Sequence, residues 1–245
     1  MRDYHMTRRA MPIRALRLIW REPPRVVVRL ILRAAHLLPQ SEQDRLLAYP
    51  RYTRTTARLL GRTIEIADSA SYLFMRREIF DSEIYRFETG RERPLIIDCG
   101  ANIGLSVVYF KLLHPQATVL AFEPDRELFA LLARNVATFG LTDVELHEKA
   151  VWSESTRLDF FHEGADGGRI AALNDDSESI QQVETVRLRD LLDRRVDLLK
   201  LDVDGAEQIV LEDCRDSLEN VERVFVEVHC FSGRPQGLGE LLSLL

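Results

Sequence analysis

The sequence predicts an α/β protein with a mostly parallel sheet and helices on both faces, preceded by a basic helical extension. Three observations carry this. From Pro94 onward, short apolar runs alternate with helix-length amphipathic stretches in the order strand, helix, strand, helix, strand. The apolar runs end in polar or glycine-rich turns, at Asp98-Cys99-Gly100, Glu123-Pro124 and Asp202. No internal repeat with a period of about 20–50 residues is visible, which removes solenoids and propellers. At 245 residues the chain suits one or two domains, and the division expected is an extension over 1–60 and an α/β domain over 61–245.

The elements follow in order. Residues 1–60 read as helices interrupted at Pro23-Pro24, Pro39 and Pro50, because proline lacks an N–H and clashes with the preceding turn. Residues 63–66 form a short strand, and 69–87 a helix with Asp68 or Ser69 as N-cap. Leu95-Ile96-Ile97 is the first core strand, and a helix over 103–113 stops at His114-Pro115. Residues 118–122 are the second strand, 125–139 a helix closed by Gly140, and 144–147 the third strand. Residues 158–161 and 183–188 pair around a polar loop, and 190–194 are a short helix. The fourth core strand covers 196–201, a helix 206–213, and the fifth strand 224–228. A last helix begins at Gly239.

Charge divides the chain. Residues 1–63 carry 14 Arg and four acids, a net charge of +10, while the rest carries 19 basic and 35 acidic residues, a net charge of −16. The three cysteines are widely spaced, with neither a disulfide framework nor a zinc spacing, so a reducing compartment is expected. No segment reaches the roughly 18–20 uncharged apolar residues of a membrane span, and residues 26–38 are cut by Arg29 and Arg33. The expected location is the cytoplasm.

Four constellations carry chemistry. In Asp98-Cys99-Gly100-Ala101-Asn102-Ile103-Gly104, the glycines open a turn between strand and helix. There a β-carbon would strike a ligand or the neighbouring element, and loop N–H groups can face a ligand. The spacing matches neither the dinucleotide G-x-G-x-x-G fingerprint nor the phosphate loop. Glu123 ends the second strand, where a carboxylate can accept both hydroxyls of a ribose. Lys200 and Asp202 share one face of the fourth strand, so Asp202 is the natural partner of the lysine. Glu227 and His229 share a face of the fifth, and His229 is the side chain readiest to take a proton near neutrality. The bland alternatives are a tight turn, a solvated carboxylate, a structural Lys–Asp pair and a structural histidine.

These segments occur in one order, joined by Lys149-Ala150-Val151 and by Asp204-Gly205-Ala206-Glu207. Together they resemble the FkbM family of S-adenosylmethionine-dependent methyltransferases over roughly residues 60–230. The resemblance implies a Rossmann-like class I methyltransferase fold. It also implies O-methylation of a hydroxyl on a sugar, glycolipid or polyketide-type natural product. Carried over, Asp98, Gly100, Asn102 and Gly104 hold the methionine part of S-adenosyl-L-methionine, and Asp98 attracts its ammonium group. Glu123 holds the ribose, Ala150 and Val151 border the adenine, and Lys200, Asp202 and Glu207 sit at the reacting end. Two departures stand out. Asp204 replaces the glutamate common in the family, and sixteen residues after the fifth strand leave the usual C-terminal hairpin missing or shortened.

For the chemistry, His229 is the first candidate base and Asp202 the second, with Lys200 orienting Asp202. A metal is not expected, although Asp202, Asp204 and Glu227 could ligate a divalent ion that acidifies the hydroxyl. The alternative function is a non-catalytic S-adenosylmethionine-binding protein recruited through its basic arm. A nucleic-acid partner is not expected, because the fourth strand ends in Lys200-Leu201-Asp202 rather than the Asn/Asp-Pro-Pro-aromatic end that serves base chemistry. Arg14, Arg17, Arg21, Arg25, Arg29 and Arg33 recur at helical spacing beside apolar residues. Residues 14–38 therefore read either as a peripheral membrane helix that reaches a lipid-linked acceptor, or as a helix packed on the acidic body.

Overall fold

The computed structural model describes residues 41–161, 169–170, 180–229 and 238–244. The arginine-rich segment 14–38 lies outside them, as does most of the predicted polar loop. The chain divides into one unit ending at Arg45 and a second running from Leu46 to Leu245. Of the first unit, 41–45 are described, the start of α1 (Glu42–Leu47).

The body opens with an antiparallel hairpin, β1 (Thr55–Leu59) and β2 (Arg62–Ile66). Leu60 and Gly61, with φ of 50° and 80°, make the two-residue turn that suits the twist of paired strands. Ala57, Leu59, Ile64 and Ile66 point inward. This corrects the helical reading of 1–60: β1 lies within it, and its inside–outside alternation is a strand's period of two. Helix α2 (Ser69–Arg76) starts at Asp68, whose Oδ1 accepts the Ser71 N–H at 2.8 Å. It passes into a single π turn over Arg77–Asp81 and ends there, short of the predicted 87.

The central sheet has five strands, all parallel, in the order β11-β10-β3-β4-β5. These are β3 (Leu95–Cys99), β4 (Thr118–Phe122), β5 (Val144–His147), β10 (Leu198–Leu201) and β11 (Val224–Val226). Both faces are covered, so neighbouring residues of one strand serve different cores. Ile96, Val119 and Leu198 join a cluster with Phe110 of α3 (Leu105–Leu113) and Leu131 of α4 (Arg126–Phe139). Ile97, Leu199 and Leu201 join another with Val210 and Leu211 of α5 (Glu207–Cys214). Helix α4 carries the predicted punctuation: Asp125 accepts the Glu127 and Leu128 N–H groups, and Gly140 closes the helix at φ 62°.

A second sheet lies between β5 and β10 in sequence. β6 (Ala150–Trp152) runs parallel to β9 (Ile180–Arg187), and β7 (Arg157–Phe161) pairs antiparallel with β9 and with β8 (Arg169–Ile170). The predicted pairing of 158–161 with 183–188 is present, with Leu158 opposite Val183. A 3₁₀ turn over Leu188–Leu191 replaces the helix predicted at 190–194. Among the described residues no strand follows β11; α6 (Leu238–Leu244) does.

Candidate active site

In the order β11-β10-β3-β4-β5, successive strands are added outward in opposite directions from the β3/β10 boundary, and the crevice of such sheets opens at the carboxyl ends there. Gly100 follows β3 with φ +85°, and a β-carbon on it would lie 1.9 Å from the Asp202 carbonyl oxygen. Gly104 has φ +90°, and its β-carbon would lie 2.8 Å from Leu132 Cδ1. Gly100 is therefore required where the turn passes the backbone at the end of β10, while Gly104 is favoured by its left-handed backbone, the atom it faces being the tip of a side chain. Asn102 takes φ +49°, a conformation asparagine tolerates, with its Oδ1 accepting the Ile103 N–H at 2.8 Å.

The same turn is tied to Glu123. Glu123 Oε2 accepts the Asn102 N–H at 2.8 Å, and Oε1 accepts the Asp125 N–H at 2.9 Å. Each oxygen keeps acceptor capacity, and no cation pairs with the carboxylate among the described residues. Burial pushes its pKa up to about 8, against the pull of the two backbone N–H groups.

At the neighbouring strand ends, Lys200 and Asp98 are in register and both buried. Lys200 Nζ lies 3.2 Å from Asp98 Oδ1 and 3.2 Å from Asp202 Oδ2, and donates to the Gly100 carbonyl at 2.8 Å. Burial works against the ammonium, but Asp98 and Asp202 outweigh it and hold the pKa well above the usual lysine value. The expected Lys200–Asp202 pair is present, with Asp98 as a second partner. Asp98 itself has no exposed surface; its other oxygen accepts the Ser106 hydroxyl at 2.5 Å. The Asp98 carboxylate thus faces Lys200 and Ser106 rather than open space.

His229, just past β11, meets three carboxylates. Its Nδ1 is 2.9 Å from Glu207 Oε1, and its Nε2 is 3.5 Å from Asp204 Oδ1 and 3.9 Å from Asp202 Oδ1. The Glu207 oxygen also accepts the Gly205 N–H at 3.0 Å, so the start of α5 and the imidazole share one anchor. That bond, then Asp204, raises the His229 pKa to about 9 despite burial. Burial raises Asp204 to about 7, and Glu227 is raised by burial and by Asp202.

Two hollows meet over these groups. A narrow one is bordered by Glu123, Lys149, Ala150, Val151 and Phe160. A wider one, of about 550 Å³, lies over Lys200, Asp202, Glu227 and His229. Gly100, Asn102, Glu123, Asp202 and Asp204 border both. Gly104 and Asp98 border neither. Asp202, Glu227 and His229 each present a donor atom within 4.8 Å of the others, a set a divalent ion could share. The bond from Glu207 to His229 and the wall formed by α2 and the π turn were not visible in sequence spacing. Glu207 is placed at the reacting end by the resemblance, but its bond to His229 follows only from asking what a helix-start carboxylate faces across β11.

The methyltransferase FkbM domain matches residues 98–245. Methyltransferase 1 of Beauveria bassiana (strain ARSEF 2860) is 29% identical over 180 residues, covering 63% of this chain and 72% of its own. The 31-O-demethyl-FK506 methyltransferase FkbM of Streptomyces tacrolimicus is 29% identical over 222 residues, covering 76% and 84%. A crystal structure of methyltransferase FkbM from Methylobacillus flagellatus KT aligns with a TM-score of 0.48 at 18% identity, covering 67% of this chain and 40% of that one. No described helix is long and apolar enough to cross a membrane. With its family match running from the carboxyl end of β3 through every other strand of the central sheet, the chain belongs to the FkbM methyltransferase family.

Proposed function

We propose that the chain transfers a methyl group from S-adenosyl-L-methionine to a hydroxyl of a sugar, glycolipid or polyketide-type acceptor. The observation that carries this is the junction of the two hollows. A slot suited to a nucleoside, with a buried carboxylate that keeps acceptor capacity, opens at Gly100 and Asn102 into a wider cavity floored by titratable groups. The name of the Streptomyces tacrolimicus relative supports an oxygen acceptor.

In this reading Glu123 accepts the ribose hydroxyls, Ala150 and Val151 border the adenine, and Gly100 and Asn102 line the path of the methionine part. When bound, the cofactor supplies an electrophilic methyl group on a sulfonium. Lys200 holds Asp202 at the junction, and much of the rate comes from holding the acceptor oxygen in line. His229 takes the hydroxyl proton on Nε2, because Nδ1 is committed to Glu207. A second reading rests on the donor set of Asp202, Glu227 and His229: a divalent ion there would acidify the hydroxyl instead.

Calorimetry with S-adenosylmethionine, S-adenosylhomocysteine and NAD tests the nucleoside reading; binding of NAD alone overturns it. Labelled S-adenosylmethionine with a panel of hydroxylated acceptors tests turnover, and binding without turnover on any of them favours a recruited, non-catalytic protein. Loss of turnover in excess chelator, restored by a divalent ion, selects the metal route. Residues 14–38 are proposed to bring the protein to a membrane-held acceptor. Co-sedimentation with anionic vesicles checks this, and a chain that ignores them at low salt makes the arm a packed element.

A further inference from the structure

Resting on the methyl-transfer reading, we infer that the acceptor is a cationic amphiphile: a hydroxyl compound with a protonated amine near the methylated oxygen and an apolar body behind it. The wider cavity has two unlike surfaces. Its wall is apolar, built by Phe74, Ile79 and Ile84 on one side and by Phe225 and Val228 on the other. Its floor and rim are acidic, with Asp202, Asp204, Glu227 and Glu78 all facing the space.

The cations that border this cavity are already matched. Lys200 is held by Asp98 and Asp202, and His229 by Glu207 and Asp204. Two of the carboxylates are not. Glu227, at the end of β11, and Glu78, in the π turn, have no hydrogen-bond or ion-pair partner for their side chains among the described residues. They stand on different elements and face one cavity. Its walls lower the local dielectric, which strengthens attraction for a cation and repulsion of an anion. A phosphate or carboxylate beside the acceptor oxygen would meet this surplus with no free side-chain cation among the described residues to receive it. A neutral acceptor would strip water from Glu227 without replacing it. An ammonium meets both demands.

The test uses the full chain saturated with S-adenosylhomocysteine, whose binding is first confirmed by calorimetry; failure at that step sinks the methyl-transfer reading itself. Three probes share one tail: octyl glucoside, its 2-amino-2-deoxy counterpart and octyl glucuronide. Titrations run below micelle formation at a pH where the amine is protonated. The amine should bind about tenfold tighter than the neutral glucoside, and the glucuronide weakest. Glu227→Gln should remove most of the amine's advantage, and Glu78→Gln part of it. Phe74→Ala should weaken all three probes and keep their order. The inference is overturned if the glucuronide matches the amine, if no probe binds, or if the order survives both carboxylate substitutions. It is also overturned if wild-type protein binds Mn²⁺ stoichiometrically by electron paramagnetic resonance and Glu227→Gln abolishes this, since the carboxylate then serves a metal. Selective loss of S-adenosylmethionine over S-adenosylhomocysteine affinity in Glu227→Gln overturns it as well, because the charge then serves the sulfonium.

Discussion

Two buried charges flank the same crevice and are treated in opposite ways. Glu123 accepts two backbone N–H groups and has no cation beside it among the described residues, and burial raises its pKa to about 8. Lys200 meets two carboxylates and a carbonyl, and its charge is secured whether or not a ligand arrives. The difference teaches which end is architecture and which end waits. The ammonium holds Asp98, Gly100 and Asp202 in one place, and thereby the ends of β3 and β10. The carboxylate keeps acceptor capacity that only a hydrogen-bond donor from outside can use.

The comparison breaks if Lys200 is dispensable. Lys200→Met should destabilise the fold by about 3–5 kcal/mol, because Asp98 is then left buried without a counter-charge. Denaturant unfolding measures this. Lys200→Met combined with Asp98→Asn should recover much of the loss, since a matched pair is removed rather than one member. A single variant as stable as the parent would mean that the lysine is dispensable to the fold.

The reacting end sharpens the contrast. His229→Gln should lower turnover by at least about 100-fold, ~2.7 kcal/mol of barrier, and leave cofactor affinity within a few-fold. The proton-accepting form of His229 appears as pH rises through about 9, so the rate should climb with pH across the neutral range. Glu207 is the largest contributor to that raised value. Glu207→Gln should therefore move the acid limb of the rate profile to lower pH as well as reduce its plateau. An unmoved limb would show that the proton goes elsewhere.

What could be read from the sequence follows the same line. The turn from Asp98 to Gly104 and the strand-end Glu123 lie within twenty-six residues, and each announces itself by residue type at a strand's end. Contacts that need distant segments to meet were not legible. Lys200 lies about a hundred residues from Asp98, and His229 twenty-two from Glu207. A sequence can place them on strand ends but not say which atoms touch. Glycine illustrates the limit. Residue type marks Gly100 and Gly104 as places of close approach, but not that Asp202 and Leu132 are the protein neighbours they approach. β1 was missed because five residues with two buried positions are a faint pattern beside a proline-punctuated helical stretch. β6, three residues long, is too short to show any period.

At the waiting end, removing the carboxylate should affect ligand before fold. Glu123→Ala should weaken S-adenosylhomocysteine binding by about 1.5–3 kcal/mol, the scale of charge-assisted hydrogen bonds. The loss should be much smaller for 5′-methylthio analogues that lack the ribose hydroxyls. Equal loss for both would place the ribose elsewhere.

The smallest effect is the most specific, because its sign differs between ligand and fold. Glu123 has its folded-state pKa raised to about 8 from an ordinary 4.5, so between those values the empty protein holds a proton that the unfolded chain has released. Its contribution to stability therefore falls as pH rises through that window and is constant above about 8. A ribose donates hydrogen bonds, so it prefers the ionised carboxylate, and its binding should strengthen as pH rises toward the same value. Adenosine is the clean probe, since it has no group that titrates between pH 7 and 9. With a pKa of about 8, the ionised fraction rises about tenfold across those two units, ~1.4 kcal/mol. Calorimetry at pH 7, 8 and 9 should show adenosine affinity climbing by that factor and levelling off, with proton release at the acid end. 2′-Deoxyadenosine, with one hydroxyl fewer, should climb less. Flat affinity for adenosine, with Glu123→Ala still weakening it, would mean that the carboxylate is already ionised in the empty site. The contrast between a waiting acid and a satisfied lysine would then be lost.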